Sequence, residues 1–417
     1  MQAPRVTPDD KLGHHHSLIF QIRAVNRISD PVNAQFNVPS TILVAGGASQ
    51  QLAAQAARLG GRRALLVTDA TMVASGLAQR CVDQLAAANI PATVFSGVKP
   101  DPTDENVRDG LAVLRETNCD FVIGLGGGSP MDAAKVIAVA ATNDAPLREF
   151  AGYHRIARAG LPLVCIPTTA GTGSEVTKVA VITDTERDVK MMMLDVHLLA
   201  RVALVDFELS LTMPAPLTAH VGVDTLTHGI EAFVSKKANP LTDPLALECI
   251  RLTAANLFTA WEEPGNRPAR EAMMLAACLG GMAFANSSVC LVHGMSRPIG
   301  AMFHLAHGLS NALLLPTLTH WSLPGAVTRY AQIARLVGTA ANGAPDETAA
   351  ASLPDYLGKL NARLGIGRLR DFVKVDRVAF EQKLPAMADA ALASGSPQNN
   401  PVVPTADEII ELYRQAW

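Results

Sequence analysis

Residues 120 to 141 read DFVIGLGGGSPMDAAKVIAVAA. An apolar run of strand length ends in glycines and a serine, and a segment of helical period follows. That is a strand, a tight turn and a helix. The same unit recurs on either side. TILVAG (41–46) precedes SQQLAAQAARLG (49–60), and RRALLVTD (62–69) precedes a helix running through MVASGLAQRCVDQLAAA. PATVFSG (91–97) precedes NVRDGLAVLRETN, and LPLVCIP (161–167) is a further apolar strand. Repeated strand–helix units with apolar strands predict a parallel, doubly wound sheet covered on both faces.

Two loops in this half offer binding chemistry. Gly126, Gly127, Gly128 and Ser129 stand between a strand and a helix starting near Met131. There the backbone can approach a phosphate, and free N–H groups and the positive dipole end face it. GGGSPMD is not G-x-G-x-x-G, so the ordinary Rossmann fingerprint is not matched, and a tight structural turn explains the glycines equally well. The second loop, PTTAGTGSE (167–175), also follows a strand. Its hydroxyls and glycines suit a nucleotide at the carboxyl end of a sheet, or a polar turn. Two such loops at equivalent ends of one sheet favour a dinucleotide site.

After Asp206 the texture changes. Runs such as APLTAHVGVDTLTHGIEAFVS, DPLALECIRLTAANLFTAW and REAMMLAACLGGMAFANSS are helical in period and poor in strand signals. The expected division is an extension over 1–35, an α/β domain over 36–212 and an all-helical domain over 213–417. Residues 342–352 and 394–404 read as surface loops from their Pro, Gly, Asn and Ser content.

Within the helical half, SSVCLVHGMSRPIGAMFHLAHGLSNALLLP (287–316) places His293, His304 and His307 in apolar sequence, where an unpaired imidazole is costly to bury. Pro298 and Gly300 supply a break that lets His293 and His307 converge. Upstream, Asp224 and His228 are spaced i, i+4 and share a helix face. One carboxylate and three imidazoles suit a divalent first-row metal. Hydrogen-bonded core histidines are the competing reading, and spacing does not exclude His220, one turn before Asp224.

The 417 residues are 49% hydrophobic and 18% charged, with net charge −3, which fits a globular enzyme of two domains. Without a Lys/Arg block, nucleic acid and anionic membranes are not expected partners. No signal peptide or spanning run is apparent. Six scattered cysteines read as reduced thiols of a cytoplasmic protein. His14, His15 and His16 could bind metal weakly, and they are set apart with the extension.

Four stretches in order, GGGSPMDAAK, PTTAGTGSEVT, VDFELSLTMPAPLTAHVGVDTLTHGIEAF and LVHGMSRPIGAMFHLAHGLSNALLLP, closely resemble the iron-containing (group III) alcohol dehydrogenase family. The resemblance runs from about Phe36 to the C-terminus. It implies a Rossmann-like α/β dinucleotide-binding domain with a parallel sheet, and an all-α C-terminal domain, the architecture shared with dehydroquinate synthase. It implies Asp224, His228, His293 and His307 as ligands of Fe²⁺, with Zn²⁺ permitted by the ligand chemistry, and it leaves His220 out. Gly127, Gly128 and Ser129 would hold the pyrophosphate, and Thr168, Thr169 and Thr177 would line the cofactor groove. Lys190 would lie near the nicotinamide ribose and Asp101 near the adenosine portion. Asp69 would meet the adenosine ribose, favouring NAD over NADP, unless it is only a helix N-cap. The expected substrate is a small alcohol or aldehyde, and the expected assembly a homodimer or larger homo-oligomer.

One position departs from the family. Where members often carry a second histidine, this chain has Arg297, which cannot act as a general base. Proton transfer would then fall to His304 or a ribose–water chain. Arg297 could instead clamp an anionic substrate, as in a reductase of acidic carbonyls of the maleylacetate or oxoacid type, or pair with a structural acid. A lyase on the same architecture, like dehydroquinate synthase, recycles NAD within one turnover, and the LVHGM…AHGLSNALLLP signature argues against it. A non-catalytic nucleotide-binding protein is a further alternative that the intact ligand set disfavours.

Overall fold

The strand-like runs of the first half assemble as β1 (Thr41–Val44), β2 (Ala64–Val67), β3 (Ala92–Phe95), β4 (Phe121–Gly126) and β6 (Leu163–Pro167). Four further strands complete the set: β5 (Gly152–Tyr153), β7 (Val179–Asp184), β8 (Val189–Leu194) and β9 (Val202–Val205). The computed structural model describes residues 34–187 and 189–417, so the expected extension, with His14 to His16, lies outside the described residues except at its end. Six strands form one sheet in the order β1-β9-β6-β4-β2-β3, with every pair parallel. Successive residues on β2 and β4 face opposite sides. Leu65, Val67 and Val122 enter one apolar cluster, while Ala64, Leu66, Phe121 and Ile123 enter another. Both faces are therefore covered, as the apolar strand runs require.

The direction of winding reverses between β2 and β4, because β3 lies outside β2 on one side and β4, β6 and β9 follow on the other. At such a reversal the loops leaving the strand ends diverge and open a crevice. The loop after β2 carries Asp69, and the loop after β4 carries the triple glycine.

Three features of this half differ from the sequence reading. The run 72–88 is two helices, Ala70–Ala74 and Leu77–Ala87, because Gly76 adopts φ 77° between them. The helix after the triple glycine starts at Gly128 itself, not near Met131. β7 and β8 form an antiparallel pair, joined by β5 in a small second sheet, which the reading passed over. This pair carries Lys190, opposite Thr183.

From Ala215 on, the described elements are helical, beginning with Ala215–Val234, Asp243–Glu262 and Arg267–Asn286. The first two pack closely because Gly229 has no side chain, and a methyl there would stand 2.8 Å from Ile250. Sheet and helices form one compact unit over Ala34–Trp417. No single helix among the described residues is long and apolar enough to cross a membrane.

The break expected at Pro298 is displaced. The helix Leu291–Phe303 runs through Pro298, and the chain turns at His304, whose φ is 55°. A proline deprives an interior helix of one ladder bond, and surrounding packing can absorb that cost. The segments read as surface loops also differ. Asp346–Ala351 is helical, and Ser396, Asn399 and Asn400 are buried. In the second loop, Asn399 Nδ2 donates to Ser288 and Asn400 Nδ2 to Ser322, so polar composition here marks an internal hydrogen-bonding segment.

Candidate active site

Asp224, His228 and Glu231 stand at i, i+4 and i+7 of the helix Ala215–Val234, so they share one face. All three are buried. His293 comes from the first turn of Leu291–Phe303, and His307 opens the helix His307–Ser322. The turn at His304 folds these helices together, and the His293 and His307 ring centres lie 5.3 Å apart. The Nε2 atoms of His228, His293 and His307 stand 3.9, 3.5 and 3.9 Å from one oxygen of Asp224. One ligand atom from each of the four residues fits within 4.8 Å of the others. A tetrahedron of bonds about 2.1 Å long has edges of roughly 3.4 Å, so the cluster is near the size a divalent ion requires.

The electrostatics agree with that fit. Burial pushes His228 down to about 4, and it also depresses His307, although that ring opens toward the pocket. Both rings are thus neutral, with lone pairs available. Burial opposes the charge on Asp224, but as pH falls His228 and His307 take up protons before it does, and their charge outweighs burial and keeps its pKa well below the usual carboxylate range. His293 behaves differently: burial works against its protonation, yet Asp224 and Glu231 raise its pKa. Glu231 accepts from His293 Nδ1 at 2.6 Å and from the backbone N–H of Cys290 and Val292. An ionised carboxylate can only accept, so His293 carries its proton on Nδ1 and turns the Nε2 lone pair into the cluster.

Asn311, one turn after His307, places Nδ2 at 2.6 Å from Asp224, 3.1 Å from His293 Nε2 and 3.2 Å from His307 Nε2. One amide group thus faces three acceptors, while its own Oδ1 is buried without a partner among the described residues. A site so rich in acceptors suits a cation. His220, left open by spacing, is outside the four. One helical turn moves it about 6 Å down the axis, where its backbone carbonyl packs against Gly308.

A cavity of about 240 Å³ joins this cluster to the sheet. Its lining includes Gly128, Ser129, Thr177, His228, His293 and Arg297. The two polar loops meet because β4 and β6 are neighbours, with Gly126 opposite Pro167 and Thr168 N–H donating to Gly126. A side chain at Gly127 would stand 3.5 Å from Thr169, and one at Gly128 would stand 3.1 Å from Thr172. The turn is a backbone cradle that a Cβ would narrow, at a helix N-terminus, as phosphate binding requires.

The remaining expected positions fall in different places. Thr177 is buried, its Oγ1 accepting from buried Lys135 Nζ and donating to the Ser174 carbonyl, and Thr168 is buried beneath its loop. Asp69 caps the helix Ala70–Ala74 through Met72 N–H, and its other oxygen lies 3.5 Å from where a Cβ of Gly126 would stand. It serves the cap and faces the glycine turn together. Asp101 and Lys190, spread along the cofactor by the resemblance, instead form an ion pair at 2.6 Å beside the cavity. Asp101 thus stands beside Lys190 on the cavity wall. His304 is exposed and outside the cavity lining. Glu231, Asn311 and Thr172 escaped the sequence reading. The signal for Glu231 was its place on the Asp224–His228 face, and for Asn311 its i+4 relation to His307.

A parallel sheet with its crevice at the β2/β4 reversal, joined to a carboxylate–imidazole cluster in a helical half, defines a dinucleotide- and metal-dependent class of enzyme. Residues 39–207 match the family "Iron-containing alcohol dehydrogenase", and residues 218–417 match "Fe-containing alcohol dehydrogenase family, C-terminal". The chain is 40% identical over 389 residues to 1,3-propanediol dehydrogenase of Citrobacter freundii, covering 92% of this chain and 97% of that one. It superposes on a crystal structure of 1,3-propanediol oxidoreductase with TM-score 0.89 and 38% identity, covering 92% of this chain and 100% of the other. Sulfoacetaldehyde reductase from Bifidobacterium kashiwanohense in complex with NAD⁺ gives TM-score 0.81 and 28% identity, covering 93% and 99%. The chain belongs to the iron-containing alcohol dehydrogenase family. It is a metal-dependent oxidoreductase that interconverts alcohols with aldehydes or ketones by hydride exchange with a nicotinamide dinucleotide.

Proposed function

We propose that Asp224, His228, His293 and His307 hold the catalytic metal, Fe²⁺ in preference to Zn²⁺, and that the dinucleotide is NAD. The observation that carries this reading is the four-ligand cluster opening into the same cavity as the glycine turn. When bound, the metal supplies Lewis acidity toward the substrate oxygen and NAD supplies the hydride acceptor.

The chain's own residues do the rest. Gly127, Gly128 and Ser129 present backbone N–H groups to the pyrophosphate, and Thr169 and Thr172 close the groove over them. Glu231 fixes the His293 tautomer, and Asn311 donates to Asp224, holding the carboxylate oxygen toward the three imidazoles. Asp69, half-buried at the end of β2, would accept from a ribose 2′-hydroxyl and repel a 2′-phosphate, which supports NAD over NADP. The domain edge is proposed at 212/213, between the two family matches. A cytoplasmic location is supported by six buried, unpaired cysteines, and a homo-oligomer is expected from the family.

The test is anaerobic metal analysis of wild type and His293→Ala, with NADH formation followed on short alcohols. About one metal ion per chain is expected in wild type, and the variant should lose metal and activity together. Activity retained in a metal-free variant would overturn the assignment.

A further inference from the structure

Arg297 lies one helical turn beyond His293, on the same face of Leu291–Phe303, and lines the cavity with His228, His293 and His307. It is half-buried, and among the described residues it forms no ion pair. Its hydrogen bond to the protein runs from Nη1 to Ser396 Oγ at 3.0 Å. The contrast with other shielded arginines is direct. Arg329 pairs with Asp243, Arg335 pairs with Asp346, and buried Arg270 spends its nitrogens on Thr218, Met213 and Pro264. A guanidinium has five N–H donors, so most of those on Arg297 remain for a ligand.

The acids around it are committed elsewhere. Glu231 is spent on His293, Cys290 and Val292, and Asp101 on Lys190. Asp132 accepts from Ser174 and Val181, and Asp224 faces the imidazoles. A divalent ion at the four ligands adds positive charge beside the guanidinium. Burial works against the charge on Arg297 more than the nearby Glu231 carboxylate supports it, so a further cation at the four ligands favours an anion joining the site.

We propose that Arg297, anchored by Ser396, forms an oxyanion subsite in the substrate pocket, so that the chain acts on short aldehydes and alcohols bearing a carboxylate. The inference rests on the proposed metal and NAD site and specifies its substrate class. The fork of Arg297 pairs with the planar carboxylate, and the reacting carbonyl oxygen then reaches the four-ligand cluster one helical turn away. In the reductive direction the carbonyl carbon gains hydride from NADH and its oxygen gains a proton from solvent. An aldehyde becomes an alcohol, NADH becomes NAD⁺, and the carboxylate is unchanged.

The experiment compares carboxylate aldehydes with neutral isosteres in the metal-loaded enzyme with NADH. Glyoxylate is set against isobutyraldehyde, and succinic semialdehyde against isohexanal. Wild type should favour at least one anionic member by kcat/KM. In Arg297→Met that ratio should fall about 10- to 100-fold, the worth of a charge-assisted pair, with Arg297→Lys intermediate. A ratio cancels any loss common to both substrates. Calorimetric titration with malonate gives a readout independent of turnover, and binding to wild type should weaken by a similar factor in Arg297→Met. Thermal melts confirm that both variants fold. A wild type that prefers the neutral isosteres, or a ratio unmoved in Arg297→Met, overturns the subsite while leaving the dehydrogenase reading intact. An equal loss on both substrates with a raised KM for NADH assigns Arg297 to the cofactor phosphates and also overturns it. If metal-loaded wild type reduces none of the four aldehydes, the functional reading fails, and the inference with it.

Discussion

Glu231 shows how a single side chain governs the metal site without belonging to the ligand set. Its carboxylate holds His293 Nδ1 at 2.6 Å and two backbone N–H groups, so it fixes both the ring and the start of the helix that bears it. Glu231→Gln keeps the volume but removes the charge that raises the basicity of His293. Partners of this kind are worth about 10- to 100-fold in metal affinity. The variant should therefore lose metal to a chelator at a correspondingly lower concentration, read by metal analysis after equilibrium competition. Retention equal to wild type would show that the backbone alone orients His293. The place of Glu231 on the Asp224–His228 face was legible from spacing. Its partner was not, because His293 lies 62 residues away and only packing brings them together.

At the scale of elements, the site depends on what leans against Leu291–Phe303. The segment after Ser394 presses on this helix at Gly294, where an added methyl would stand 2.8 Å from the Pro397 ring. Gly294→Ala gains about 1 kcal/mol of helix propensity, against roughly 1–3 kcal/mol for forcing atoms into a filled space. Because the proline ring is rigid, we expect the second effect to win. The melting temperature should fall, and Ser396 should be displaced from Arg297. A variant that melts higher than wild type would show that the segment yields freely. The composition of 394–404 suggested a solvated loop, since Pro, Gly, Asn and Ser equally suit a buried connector whose side chains bond internally. Composition reports local conformational preference, and burial depends on what packs above.

For the whole molecule, the junction of sheet and helices carries a buried charge problem. Glu175, the fully enclosed last residue of the second binding loop, is raised by burial from 4.5 to about 7. The folded state therefore keeps a proton that the unfolded chain releases above its ordinary carboxylate pKa. The associated stability is fully present below pH 4.5 and is lost as pH rises through about 7, a total of about 3 kcal/mol. Glu175→Gln should flatten this dependence, so that melting temperatures at pH 5 and pH 8 converge relative to wild type. An unchanged difference between the two pH values would place the wild-type pH dependence on other groups.

Read alone, the chain determined its class of architecture. Strand–helix units with apolar strands can be buried only as a parallel sheet with helices on both faces, and the later helical runs cannot join that sheet. Spacing also proposed Asp224 with His228, since i, i+4 residues share a helix face whatever the rest of the chain does. It could not separate His220 from the ligands, place the turn at His304 rather than Pro298, or join Asp101 to Lys190. Nor could it tell that Arg297 forms no ion pair among the described residues. Those outcomes depend on contacts between residues far apart in the chain, and periodicity specifies only which face a residue occupies. Tertiary packing decides what that face meets, and so it decided which polar groups are satisfied and which are left to bind something else.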